Sequence, residues 1–257
     1  MNRINDYSIL EDRIVEWLKD YCLLYNIKSL VIGVSGGIDS AVSSTLAAKT
    51  GLPVYALGMP ILQKEEQETL SDAHLEWLQS NFSNVVVNKF DLTKVFDTFQ
   101  FTMKEFGSNN LALANSRSRL RMVTLYQVAT CVGGIVVGTG NKVEDYGIGF
   151  YTKYGDGGVD IAPIADLYKT EVWELGKHLG VDQRIIDAQP TDGLWDDGRT
   201  DEDQIGTSYE MLEWAMEYGT KTPVNQLSEK ESVAISLLEK FNNQNKHKMN
   251  PIPTFKL

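Results

Sequence analysis

Residues 29–49 read SLVIGVSGGIDSAVSSTLAAK, and the fold class follows from this stretch. Leu30, Val31, Ile32 and Val34 form a largely β-branched apolar run that reads as a buried strand. Ser35, Gly36 and Gly37 make a turn, and Asp39-Ser40 opens a run rich in Ala, Ser and Leu that reads as a helix. Strand, glycine turn and helix start together make a phosphate cradle. Adjacent glycines let the backbone approach an anion, and the helix start offers free N–H groups at the positive end of its dipole. Ser35 and Ser40 add hydroxyl donors. No Gly-Lys-[Ser/Thr] follows, so the loop is not Walker A, and it is not a GxGxxG fingerprint. Asp39 stands where Walker A has lysine. A carboxylate beside phosphates is repulsive unless a divalent cation lies between them, so Asp39 points to Mg²⁺ as well as phosphate. The bland alternative is a strand–turn–helix with an N-capping serine.

Working outward, residues 6–25 space Ile9, Leu10, Ile14, Trp17, Leu18, Cys22 and Leu24 as the stripe of an amphipathic helix. Further strands are predicted over 54–59, 84–89 and 134–137, and helices over 71–79, 92–105 and 111–131. Residues 63–69 read as a charged loop or helix start. This alternation predicts an α/β fold: a doubly wound parallel sheet flanked by helices, Rossmann-like. Ligands of such sheets lie beyond the carboxyl ends of strands, where strand order reverses, and both the cradle and Thr139 fall at such ends. After Thr139 the pattern is irregular, with helices expected over 169–179, 204–218 and 230–242 and a mobile acidic stretch over 192–203. No internal repeat or linker composition appears, so residues 1–257 are expected to form one domain.

The net charge of −11 and pI near 4.8 argue against a broad nucleic-acid footprint. Cys22 and Cys131 form no CxxC and sit in apolar helical patterns, so two buried, inert thiols in a reducing cytoplasm are expected. The polar start lacks a signal peptide's apolar core, and no apolar stretch reaches membrane-span length. His74 and His178 read as surface helix residues.

Two further segments carry chemistry. Residues 138–145, GTGNKVED, follow a strand, so Thr139 can reach the cradle edge, and Glu144 is the nearest carboxylate able to join Asp39 around one Mg²⁺; a solvated loop glutamate is the alternative. In residues 152–172, TKYGDGGVDIAPIADLYKTEV, Asp156, Asp160, Lys153 and Lys169 flank a glycine cluster too dense for a plain hairpin. On the preceding helix, Arg117 and Arg121 share one face, while Asn115 and Arg119 share another.

SGGIDS resembles the signature of the ATP pyrophosphatases, which split ATP into AMP and pyrophosphate. Together with NSRSRLRM, GTGNKVE, TKYGDGGVDIAP, LYKTEV, QPTDGL and a late His-Lys, it is similar to ammonia-dependent NAD⁺ synthetases over residues 5–250. The resemblance implies the adenine nucleotide α-hydrolase-like fold. It implies that Gly33, Val34, Ser35, Gly36, Gly37, Ile38, Asp39 and Ser40 hold the ATP phosphates, with Asp39 and Glu144 on Mg²⁺. Thr139, Lys169 and Thr191 would contact ATP. Arg119, Lys153, Asp160, His247 and Lys248 would contact deamido-NAD⁺, and Asp156 would receive ammonia, with Asp156 and Lys169 as the catalytic pair. It further implies adenylation of a carboxylate, lids over 62–68 and 192–206, and a homodimer, with no nucleic-acid or membrane partner. Many relatives read GTDHAAE where this chain reads GTGNKVE, one extra residue lies between Glu144 and Lys153, and Met59-Pro60 stands where many carry arginine. Two rivals share the cradle: another amidating pyrophosphatase such as a GMP synthetase, which would not explain TKYGDGG with the His-Lys, and a nucleotide sensor without turnover, which would not need Asp39, Glu144 and Asp156 together. Neither cysteine sits in a glutaminase-like set, so free ammonia is the expected nitrogen donor.

Overall fold

The computed structural model describes residues 3–63, 65–106, 109–190, 200–219 and 221–257. Helix α1 (Tyr7–Leu24) precedes strand β1 (Ser29–Gly33), followed by α2 (Ile38–Lys49), β2 (Val54–Gly58), α3 (Glu65–Asn81) and β3 (Val85–Lys89). Helices α4 (Thr93–Thr102) and α5 (Asn110–Val132) lead to β4 (Gly134–Val136) and a π-helical turn, Val143–Ile148. Helices α6 (Lys169–His178), α7 (Gln183–Asp187), α8 (Asp201–Ile205), α9 (Tyr209–Tyr218) and α10 (Glu229–Met249) follow.

The strands form a parallel sheet in the order β3-β2-β1-β4. The chain builds outward from β1 to β3 and then crosses to the other side of β1. Strand order therefore reverses between β1 and β4, and the crevice at their carboxyl ends is the ligand position of such sheets. Leu30, Val31 and Ile32 have no exposed surface, which is why β1 reads as an unbroken apolar run; each contributes about 1.5–3 kcal/mol of burial. Leu30 and Ile32 join the core beneath α1, α2 and α6, while Val31 joins Leu57, Ala129 and Val136 beneath α5. A separate apolar cluster of Val143, Ile148, Tyr168, Ile205, Tyr209 and Leu212 fastens the π-turn to α9, with Leu238 and Phe241 of α10 against it.

The predicted architecture holds, with four corrections. The helix expected over 204–218 is two helices: Gly206, at φ 91°, ends α8, and Ser208 caps α9 by accepting from the Met211 N–H. The helix expected over 230–242 runs on to Met249, because its last turns are anchored by polar side chains rather than an apolar stripe. His74 is buried, not at the surface: α3 starts at Glu65, and its inner face seats the imidazole against Ser44 Oγ at 3.0 Å and the Trp77 ring. Cys131 is exposed, whereas Cys22 is buried as expected.

Candidate active site

The cradle forms at the β1–α2 junction. Gly36 lies at φ 89°, a conformation that L side chains rarely adopt, so the turn depends on glycine there. Ser40 Oγ accepts from the Ser35 N–H at 3.1 Å and lies 3.0 Å from Ser35 Oγ, while Ser35 Oγ accepts from the Gly37 N–H at 3.2 Å. The two serines thus brace the loop rather than project freely. Gly37 caps α2 with no side-chain hydrogen bond, which leaves the helix start open to an anion. Gly33 ends the strand, and Val34 and Ile38 are buried in the core on either side of the turn.

Three residues distant in sequence meet beside this cradle. Lys169 Nζ, at the start of α6, lies 2.5 Å from Asp39 Oδ2 and 3.0 Å from Glu144 Oε1. The lysine side chain is 3% exposed and the carboxylates 17% and 16%, so the charges sit largely out of water. Burial alone would favour a neutral amine, but Asp39 and Glu144 outweigh it and hold the Lys169 ammonium firmly charged. Desolvation pushes the Glu144 carboxyl up, yet Lys169 and the Tyr209 hydroxyl bring it below its ordinary value. Desolvation wins at Asp39, which is raised.

Asn141 ties this group together and carries no signal that sequence reading caught. It is fully buried; its Nδ2 donates to Asp39 Oδ1 at 3.1 Å, and its Oδ1 accepts from the Val143 and Glu144 N–H groups at 3.1 Å each. Tyr209, also missed, donates its hydroxyl to Glu144 Oε1 at 2.7 Å. Asp145 is a third omission: burial, with Glu144, Asp156 and Asp39 nearby, pushes its carboxyl up to about 7. Glu144 and Asp145 lie in the π-helical turn Val143–Ile148, an irregular backbone of the kind often found at functional sites.

Asp156 lies in the glycine-dense loop. The residue as a whole is exposed, while its Oδ1 turns inward, accepting from Ser118 Oγ at 2.6 Å and the Thr152 N–H at 3.0 Å. A Cβ on Gly155 would come within 2.2 Å of Ser118 Oγ, so this close approach requires glycine. Desolvation raises the Asp156 carboxyl against the pull of those bonds.

The residues assigned to the second substrate divide. Arg119 donates to the Lys153 carbonyl at 3.3 Å, and Lys153 Nζ donates to the His247 carbonyl at 3.3 Å, which links α5, the loop and α10. Lys248 turns inward, donating to the Gly149 and Tyr151 carbonyls at 2.6 and 2.8 Å. Asp160 braces the end of the sheet, accepting from the Val136 N–H at 2.8 Å and the Tyr126 hydroxyl at 3.0 Å. Thr139 is half-buried just beyond β4. Thr191 and residues 192–199 of the expected lid lie outside the described residues; of the other expected lid, Lys64 does too. Arg121 donates to the Met59 carbonyl and Gln63 Oε1, bringing a guanidinium to the end of β2. Arg117 lies over the Phe96 ring, in line with a packing role.

Among the described residues no group of three His, Cys, Asp or Glu side chains is placed to hold a metal. Asp39 and Glu144 nevertheless converge on one cationic centre, the Lys169 ammonium, so this pair fits a hard divalent cation completed by phosphate oxygens and water.

Comparison with known proteins agrees with this geometry. The model of the NAD synthase family matches residues 10–252. An NH₃-dependent NAD⁺ synthetase from Alkaliphilus metalliredigens is 39% identical over 219 residues, covering 82% of this chain and 87% of the relative. One from Pyrococcus horikoshii is 37% identical over 241 residues, covering 93% and 89%. The solved structure of an NMN synthetase from Francisella tularensis superposes with a TM-score of 0.88 at 34% identity, covering 99% of this chain and all of the other. With residues 10–252 matched by the family model and relatives 37–39% identical over most of both chains, the chain belongs to the NAD synthase family and to its ammonia-dependent ligases.

Proposed function

We propose that this enzyme uses ATP and Mg²⁺ to activate the nicotinate carboxylate of deamido-NAD⁺ and amidates it with ammonia, giving NAD⁺, AMP and pyrophosphate. The observation that carries the reading is the convergence of Asp39 and Glu144 on a single cation beside an open helix start. Those two carboxylates would hold Mg²⁺, which when bound offsets charge on the departing pyrophosphate.

A carboxylate oxygen of the acceptor attacks the α-phosphorus of ATP; the new C–O–P linkage forms as the bond to the β-phosphate oxygen breaks. The N–H groups at the start of α2, Ile38, Asp39 and Ser40, would stabilise the pyrophosphate that leaves. Lys169, released from its carboxylate partners, supplies a positive charge at the phosphates. Ammonia then attacks the activated carbonyl, forming the C–N bond as the bond to AMP breaks. Nitrogen arrives mostly as ammonium at neutral pH, and Asp156 would bind it and accept the proton it must lose. The raised Asp156 carboxyl makes it a better base than an ordinary aspartate. Arg119, Lys153 and His247, already linked across α5, the loop and α10, position the acceptor. Thr139 and Thr191 would complete the ATP site, while Asp160 and Lys248, which bind backbone groups here, would shape the acceptor site from behind. The same reading takes residues 1–257 as one domain acting as a cytoplasmic homodimer, which sedimentation of the purified chain tests.

A second reading has its own support: the similar Francisella protein is an NMN synthetase, and by analogy the acceptor here would be nicotinate mononucleotide instead of the dinucleotide. One experiment separates them. Purified enzyme with ATP, Mg²⁺ and ammonium is given each acceptor, and amide and pyrophosphate are measured. Higher kcat/KM with deamido-NAD⁺ supports the first reading, higher kcat/KM with the mononucleotide the second, and no pyrophosphate with either overturns both.

A further inference from the structure

No strand runs between Glu144 and Asp156, so the sheet does not fix the distance between them. The backbone carbonyls of this stretch are satisfied instead by one side of α10. Asn242 Nδ2 donates to the Tyr146 and Gly147 carbonyls at 3.3 and 2.9 Å, and Asn245 Nδ2 to the Ile148 carbonyl at 2.8 Å. Lys248 Nζ then donates to the Gly149 and Tyr151 carbonyls at 2.6 and 2.8 Å. A spacing of three residues keeps these side chains along one side of a helix. Carbonyls at the end of a short helical turn have no partners within it, and here a second helix supplies the donors. The contact is tight: a Cβ on Gly149 would come within 2.5 Å of Asn245 Cβ.

The rungs divide the site. Upstream, Glu144 is held by Asn141, Lys169 and Tyr209, none of them on α10. Downstream, Tyr151 leads directly to Thr152, whose N–H donates to Asp156 Oδ1. The cradle rests on β1 and α2. Asp156 and Thr152 are also held from α5, by Ser118 and Asn115, so loosening the rungs lets the 146–151 stretch shift against that anchor, which disturbs the Asp156 loop and leaves the nucleotide side in place.

We propose that Asn242 and Asn245 are positioning residues for the ammonia half-reaction, setting where Asp156 sits relative to Glu144. The proposal rests on the reading of Asp156 as the carboxylate that receives ammonia. The test compares wild type, Asn242→Ala, Asn245→Ala and Asp156→Asn as full-length enzymes, measuring kcat and KM for ammonium, Kd for ATP by titration, and thermal unfolding. For Asn245→Ala, kcat/KM for ammonium should fall on the order of tenfold to a hundredfold, the effect of misplacing a reacting group by about 1 Å. The Kd for ATP should stay within about twofold, a split that a general loss of structure does not produce. Asn242→Ala should show the same split. If Asn245→Ala fails to fold, Asn245→Gln keeps the donor but displaces it by one methylene, and a smaller loss with the same split is expected. Unchanged ammonium kinetics, or ATP affinity lost in step with them, overturns the proposal. Ammonium kinetics unmoved by Asp156→Asn overturns the reading of Asp156 instead, while a response there with none in the asparagine variants overturns the positioning role alone.

Discussion

Replacing Lys169 by methionine keeps most of the side chain's bulk and removes its charge, which leaves Asp39 and Glu144 facing each other across the emptied position. Two ion pairs disappear, at 2.5 and 3.0 Å, in a place where the lysine is 3% exposed. Removing one member of a buried ionic group costs about 3–5 kcal/mol, and the partial exposure of the carboxylates sets the expectation at the low end, about 3 kcal/mol. For a chain of this size that lowers Tm by about 6–12 °C. The pH dependence has a definite sign. With the lysine gone, mutual repulsion raises the folded-state pKa of the carboxylates above their unfolded values. The penalty is then present at neutral pH and shrinks as the pH falls and one of them takes a proton. Mg²⁺ should also stabilise Lys169→Met more than wild type in the absence of ATP, because it can occupy the site that the ammonium fills. Differential scanning of both proteins at pH 7.5 and 5, with and without Mg²⁺, is the assay. A variant within about 2 °C of wild type at pH 7.5, and indifferent to Mg²⁺, would refute the claim that these carboxylates form one cation-binding pair.

Three other outcomes follow from named contacts. Burial pulls the His74 imidazole down from 6.5 to about 4, so its stabilisation is complete above pH 6.5 and drains away toward pH 4. Between pH 7 and 4.5 the loss is about 2.5 kcal/mol in urea unfolding, and His74→Gln, which cannot charge, should remove that part of the slope. Arg119→Ala should weaken the acceptor by about 1.5–3 kcal/mol while sparing ATP, and Arg117→Ala should be milder; the reverse order in titrations would put the wrong arginine at the acceptor site. Ammonia should be the direct nitrogen donor. Cys131 is exposed, but its thiol accepts only from the Gln127 amide among the hydrogen bonds observed, so Cys131→Ala should keep the ammonium-dependent rate, and ammonia-free glutamine should support little product.

The alternation of strands and helices, the glycine turn of the cradle and the start of α6 at Lys169 could be read from the chain alone, because backbone conformation there is set by near neighbours and by apolar periodicity. The same is true of Asp39: a carboxylate inside a phosphate loop is informative without any partner in view. Which side chains meet is another matter. Lys169 reaches Asp39 across 130 residues and Glu144 across 25, and that meeting depends on how α6 packs on α2 and where the π-turn lies. Asn141 looked like one loop residue among several until burial made each of its polar atoms account for a partner. His74 and Cys131 were misplaced for a related reason: periodicity locates a helix, but its rotation against neighbours decides which edge of the stripe is covered. Lys248 shows the limit most clearly. A lysine in a polar stretch suggests a free charge, yet α10 runs on past 242 and turns that ammonium onto two carbonyls. Local sequence thus determined the elements and the phosphate cradle. The sequence already paired Glu144 with Asp39; the tertiary structure alone decided that Lys169 bridges them and that α10 anchors the 146–151 stretch, since hydrogen bonds between distant residues leave no period in the sequence.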